Sequence, residues 1–135
     1  MNTSVGIKAY KDVGLETSVM GADPHKLIAM LFQGALLAIS EAKYEMQNRH
    51  MEAKGKAISK AIAIIGEGLQ ASLDMKSGGE IAQNLFGLYS YMNKRLVEAN
   101  LNNDTTMLDE VTRLLAELQD AWNTIRPKVI QPAAA

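Results

Sequence analysis

His25 and His50 are the only two imidazoles in the chain, and cysteine is absent. Without a thiol there can be no disulfide, no thiolate zinc site and no sulfur nucleophile. A metal centre inside a helical bundle is usually built on a Glu-x-x-His pair with further carboxylates, because divalent iron or manganese wants several anionic oxygens together with an imidazole. Neither histidine has a glutamate three residues before it. Both are expected at or near helix ends, as solvated or end-capping side chains. A serine triad needs a base with an orienting partner, and these two positions offer none. Gly66-Glu67-Gly68-Leu69-Gln70-Ala71 reproduces the lettering of a dinucleotide-binding fingerprint. That fingerprint works only between a strand and the start of a helix, whereas here it falls inside a running helical stripe, in a chain with no repeated βα pattern. The expectation is a protein that is not an enzyme and holds neither metal nor cofactor.

The apolar residues are more informative. Hydrophobic types make up 47% of the 135 residues and aromatic ones only 5%, so the apolar mass is Leu, Ile, Ala and Met, a composition that suits helices better than strands. Leu108, Val111, Leu115, Leu118, Trp122 and Ile125 are spaced to fall on one helical face. The same spacing joins Ile81, Leu85, Leu88, Met92, Leu96 and Ala99, and before them Ile58, Ile62, Ile65, Leu69 and Leu73. The earliest stripe is Ile28, Leu31, Ala35, Ala38, Ala42 and Met46, with a second apolar strip of Leu27, Met30 and Leu37 beside it.

Boundary chemistry agrees with the stripes. Asp23 before Pro24 is an N-cap followed by proline at the first helical position, where a missing N–H costs nothing. Ser77-Gly78-Gly79-Glu80 has the spacing of a capping box and predicts the start of the third helix. Asn103 to Thr106 offer capping oxygens for the fourth, and Pro127 predicts its end. Four helices of about 20 residues, each about 30 Å long and joined by short connections, can share their stripes only as antiparallel neighbours. The predicted fold is therefore all-α: an antiparallel up-down four-helix bundle over residues 23–126. Residues 1–22 precede it as an N-terminal arm or cap, and residues 127–135 follow as a flexible C-terminal tail.

The charge balance is 14 Lys+Arg against 15 Asp+Glu, a net of -1, which leaves no field to hold a phosphate backbone or an anionic membrane. No nucleic-acid partner is expected. The first residues lack a secretory apolar stretch, and the most apolar run, Leu27 to Ile39, is interrupted by Gln33 and Gly34 and falls short of a span. A cytoplasmic, non-membrane-spanning protein is the expectation.

Some apolar residues lie about one position off the main stripes: Met30, Leu37, Ile64, Phe86, Tyr89, Met107 and Leu114. They either widen a core face or must be covered by the N-terminal arm or another chain. The chain also holds 8 methionines, whose flexible thioethers suit irregular apolar partners. Gly34, Gly55, Gly66, Gly68 and Gly87 fall inside predicted helices, at about 1 kcal/mol each relative to alanine. Close helix–helix approach in the core accounts for them on one reading, and approach of a partner helix or a soft bundle on the other. Together these surpluses point to a helix-binding module. A self-assembling structural bundle, burying its extra strip against a second copy, is the competing reading.

Specific residues along nearly the whole chain resemble the FliS family of flagellar export chaperones. They include Ala9-Tyr10, Glu16-Thr17, Lys26-Leu27-Ile28 after Pro24, Met30-Leu31-Phe32 leading into Gly34-Ala35, and Lys60-Ala61. The most specific are Ser72-Leu73-Asp74, Gly78-Gly79-Glu80-Ile81-Ala82, Asn84-Leu85 and Leu88-Tyr89 followed by Tyr91-Met92. Arg95-Leu96, Ala99-Asn100 and Ala121-Trp122 complete the series. The resemblance implies a helical bundle that binds the C-terminal segment of flagellin, prevents its premature polymerisation and presents it to the export gate protein. It further implies an N-terminal arm, matched here by Ile7, Tyr10 and Val13, that lies over the bundle and moves when cargo arrives. Ile7 and Tyr10 are then the expected contact with the gate. The chain is expected as a monomer or weak homodimer, with room for a regulatory partner such as an anti-sigma factor or co-chaperone. Gln33 and Ser90 stand where relatives often carry an acidic residue, and Asp23 replaces a serine with an equally good cap.

Overall fold

A computed structural model describes residues 23–134 of the chain, with side chains described to Ile125. Four α-helices follow one another: α1 (Pro24–Gln47), α2 (Met51–Ala63) running directly into a π-helical segment (Ile64–Gln70), α3 (Gly79–Asn102) and α4 (Thr105–Ala134). α1 packs against α2 and α4, and α3 closes the ring against α4, α2 and the π segment. Cross-helix hydrogen bonds record the directions. His25–Trp122, Gln33–Gln119 and Lys43–Asp109 step in opposite senses along α1 and α4. Lys54–Asn100, Asn93–Ile62 and Gln70–Phe86 do the same along α2 and α3. The result is the antiparallel up-down bundle that the stripes predict.

The core lies where those stripes meet. Leu31, Ala35, Ala38 and Ala42 of α1, Ile58 and Ala61 of α2, Met92, Leu96 and Ala99 of α3, and Leu108, Val111 and Leu115 of α4 are all buried. Small alanines on α1 let α2 approach closely, while each large side chain contributes about 1.5–3 kcal/mol by leaving water. α1 is the one described helix long and apolar enough to cross a membrane, and here its apolar faces pack on α2 and α4.

Asp23 caps α1 as expected, its Oδ1 accepting the Lys26 N–H at 2.8 Å. At α4 the Asp104 carboxylate accepts the Thr106 N–H at 2.9 Å. Lys54 is buried, and its ammonium donates to the Asn100 carbonyl at 3.0 Å and to Asn103 Oδ1 at 2.6 Å, tying α2 to the end of α3. A cation at the negative end of a helix is favourably placed.

Three local expectations fail. The capping box does not form, because the N-cap of α3 is Gly78 and makes no side-chain cap bond. Asp74 closes the preceding turn instead, Oδ1 accepting the N–H groups of Lys76 and Ser77 and its carbonyl accepting Gly78 N–H. A Cβ on Gly78 would sit 2.5 Å from both the Asp74 carbonyl oxygen and Ala82 Cβ, and Gly79 has φ +59°, so this turn requires both glycines. Pro127 does not end α4, whose backbone stays helical to Ala134. A proline removes one ladder bond, and that cost of about 3 kcal/mol is not always decisive. His25 is not solvated but 3% exposed, whereas His50 is exposed at the α1–α2 turn, with Nδ1 2.8 Å from Glu45 Oε1.

The π segment decides where Ile64 lies. Read either as widening a core face or as meeting a partner, Ile64 is fully buried beside Ile65. Each π turn encloses one more residue than an α turn. Adjacent pairs, Ile64 with Ile65 and Gly68 with Leu69, therefore all face inward.

Candidate functional site

At one end of the bundle the stripes of the described residues do not close. The start of α1, the end of the π segment with the turn after it, the start of α3 and the later part of α4 surround a groove of 510 Å³. Its lining is Ile28 and Phe32, Leu69, Ser72 and Leu73, Ile81, Leu85 and Tyr89, and Leu118, Ala121, Trp122 and Ile125. Most of these continue the periodic stripes that fill the core further along. Ile81 is 73% exposed and Ile125 38% exposed, although each repeats the spacing of fully buried stripe residues.

Polar contacts fix the walls while leaving the surface apolar. The His25 and Trp122 rings stack with centroids 4.5 Å apart and planes 7° from parallel. Trp122 Nε1–H donates to the His25 carbonyl at 2.9 Å, and His25 Nε2 donates to the Trp122 carbonyl at 2.7 Å. A carbonyl only accepts, so Nε2 carries the proton. Ser72 Oγ donates to the Gly68 carbonyl at 2.6 Å, turning its hydroxyl to the backbone. Burial pushes the Tyr89 phenol up to about 12, so it remains neutral. Further along the α3–α4 seam, Glu110 accepts Tyr91 O–H and Arg95 Nε–H, which hold its carboxyl below the usual range.

Of the residues singled out by sequence, only Tyr89 lines this groove. Met107 and Leu114 are partly buried against the core, and Met30 is half-buried. Leu37 and Phe86 are exposed but outside the groove. Ile7, Tyr10 and Val13 lie outside the described residues. The groove residues read by sequence as core were missed because a stripe's period does not record where its partners end. Glycine gives a mixed answer. A Cβ on Gly66 would meet Asn93 Nδ2 at 3.2 Å, as close packing requires, but at Gly55 and Gly87 it would meet nothing within 4 Å.

Among the described residues no group of three or more His, Cys, Asp or Glu could hold a metal ion. What the arrangement can do is take apolar side chains out of water. An all-helical bundle whose core opens into an apolar groove offers the kind of surface on which an amphipathic helix can lay its apolar face. The family model described as "Flagellar protein FliS" matches residues 6–129. Similar proteins include the flagellar secretion chaperone FliS of Salmonella typhimurium, 51% identical over 128 residues and 95% of each chain. That of Escherichia coli is 44% identical over 133 residues, covering 97% of this chain and 98% of the relative. That of Bacillus subtilis is 36% identical over 107 residues, 79% and 78% respectively. The chain belongs to the FliS family of flagellar secretion chaperones.

Proposed function

We propose that this chain is a cytoplasmic chaperone that holds the C-terminal segment of flagellin, prevents its premature polymerisation and delivers it to the flagellar export gate. The observation that carries this reading is the groove, where stripe residues that would otherwise complete a core stand open. A segment destined for burial between filament subunits is apolar on one face and disordered beforehand, so a groove that covers that face blocks assembly. Folding on binding costs ordering entropy, which favours later release.

Residues 1–22 act as an arm joined to the bundle at Asp23, next to the His25–Trp122 contact at the groove. Ile7, Tyr10 and Val13 are its apolar contacts, and client arrival frees Ile7 and Tyr10 for the gate protein. The chain works as a monomer or weak homodimer and is open to a regulator such as an anti-sigma factor or co-chaperone. Binding of a flagellin C-terminal peptide should be saturable by calorimetry and accompanied by a gain of helical circular dichroism; no heat and no spectral change would overturn the reading. Exposure of Phe86, Val97 and Leu101 along α3 favours self-assembly as the second reading. Light scattering separates the two: a tight dimer that the peptide does not dissociate supports self-assembly.

A further inference from the structure

Gln70 ends the π segment, and its side-chain amide makes two bonds to α3: 2.9 Å to the Phe86 carbonyl and 2.8 Å to Ser90 Oγ. These bonds join two walls of the groove. Leu69 and Leu73 lie either side of Gln70 along one wall, and Leu85 and Tyr89 directly precede Phe86 and Ser90 along the other. The Phe86 carbonyl lies inside α3, where the helix ladder already supplies a donor, and Gln70 is accessible enough to use water. Satisfying polar groups is therefore not what this bridge adds; it fixes a distance. Ile62, Gly66 and Gln70 recur at four-residue intervals along the side facing α3. Asn93 reaches the Ile62 carbonyl at 3.2 Å, and its Nδ2 would stand 3.2 Å from a Cβ at Gly66, so it would have to give way to admit one. The seam is thus tight up to Gly66, and Gln70 spans the point at which the groove begins.

We propose that the bridge from Gln70 to Phe86 and Ser90 sets the width of the groove, and so the size of apolar side chain that a client can insert. The inference rests on the groove being the client site. Gln70 is a positioning residue, acting through the separation of the walls rather than by touching client. A rigid apolar pocket discriminates between side chains differing by a few carbons by about 10–200-fold, whereas a wall free to yield discriminates less.

The test uses the full chain with a flagellin C-terminal peptide, and with the same peptide carrying each leucine in turn replaced by tryptophan. The unmodified chain is expected to reject at least one bulky peptide by about tenfold or more. In Gln70→Ala that preference should fall to within about threefold, while affinity for the parent peptide drops about two- to tenfold, the worth of one ordinary hydrogen bond. Ser90→Ala removes one bond at an exposed site, should fall between the two, and carries the test if Gln70→Ala folds poorly. Simple loss of fold stability would weaken every peptide by the same factor and leave the preference intact. An unchanged preference in both variants, or an unmodified chain that accepts leucine and tryptophan alike, overturns the width gauge. If the parent peptide fails to bind the unmodified chain, the client-site reading fails first and takes this inference with it.

Discussion

His25 and Trp122, 97 positions apart, each place a ring nitrogen on the other's backbone carbonyl, at 2.7 and 2.9 Å, while their rings lie face to face. The contact pins the first turn of α1 to the later part of α4. Both residues lie beside the groove, where this polar clamp adds to the packing of Trp122 against the core. Its two bonds are backbone-directed, which makes the register of α1 against α4 insensitive to what later fills the groove.

His25→Phe should keep the stacked plane while deleting the donor to the Trp122 carbonyl. We expect a loss of about 0.5–1.5 kcal/mol in urea unfolding, the net worth of one hydrogen bond. Trp122 is the only tryptophan, so its emission reports this site directly. A red shift should accompany the loss, and an unchanged midpoint with unchanged emission would mean that the clamp contributes nothing.

Ile81 and Leu37 are both exposed, at 73% and 61%, but only Ile81 borders the groove. Ile81→Asp adds an anion to the first turn of α3, where a helix N-terminus tolerates it, and should change stability by no more than about 0.5 kcal/mol. Client-peptide affinity should nevertheless fall by about tenfold, because a buried apolar contact becomes a desolvated charge. Leu37→Asp should leave that affinity unchanged. Equal losses at both positions would move the binding surface away from the groove.

That contrast marks what the sequence could convey. Periodicity alone located the four stripes, and Asp23-Pro24 located the start of α1, because both are local patterns. Ile81 and Ile125 obey the same period as Met92 and Leu115, so nothing local distinguishes a stripe residue at the open end from one in the closed middle. The inward turn of Ile64 is not legible, because no residue type announces a π turn and its extra residue per turn. The Ser77 capping box fails because the helix opens at Gly78 rather than at Ser77, and Asp74, three positions earlier, accepts the Ser77 N–H that the Glu80 carboxylate would have reached back to. The proposed client comes from the family resemblance, since no pattern in this chain encodes it.

The open space at Gly87 has a simple consequence for stability. A Cβ there meets nothing within 4 Å, so Gly87→Ala should gain about 0.5–1 kcal/mol from reduced backbone entropy in the unfolded chain. Gly78→Ala should instead be strongly destabilising, since its Cβ would stand 2.5 Å from the Asp74 carbonyl oxygen. Thermal unfolding of the two variants should shift in opposite directions. A gain in Gly87→Ala accompanied by weaker client binding would show that a partner uses that bare helix surface.

Alkaline pH should act on the groove through Tyr89. Its phenol titrates at 10.0 when free and at about 12 when folded, because burial disfavours the phenolate. A raised folded pKa means that the stabilising difference is complete below pH 10.0 and is lost as pH rises from there towards 12. Over that window the slope approaches about 1.4 kcal/mol per pH unit for this one group. Tyr91, whose phenol is also raised, chiefly by its bond to Glu110, adds a separate loss in the same direction. Tyr89→Phe removes the first contribution and keeps the second, so its urea midpoint should fall less steeply above pH 10 than that of the unmodified chain. Identical slopes would mean that the Tyr89 side chain reaches water in solution, and that the groove is wider there than the folded geometry implies.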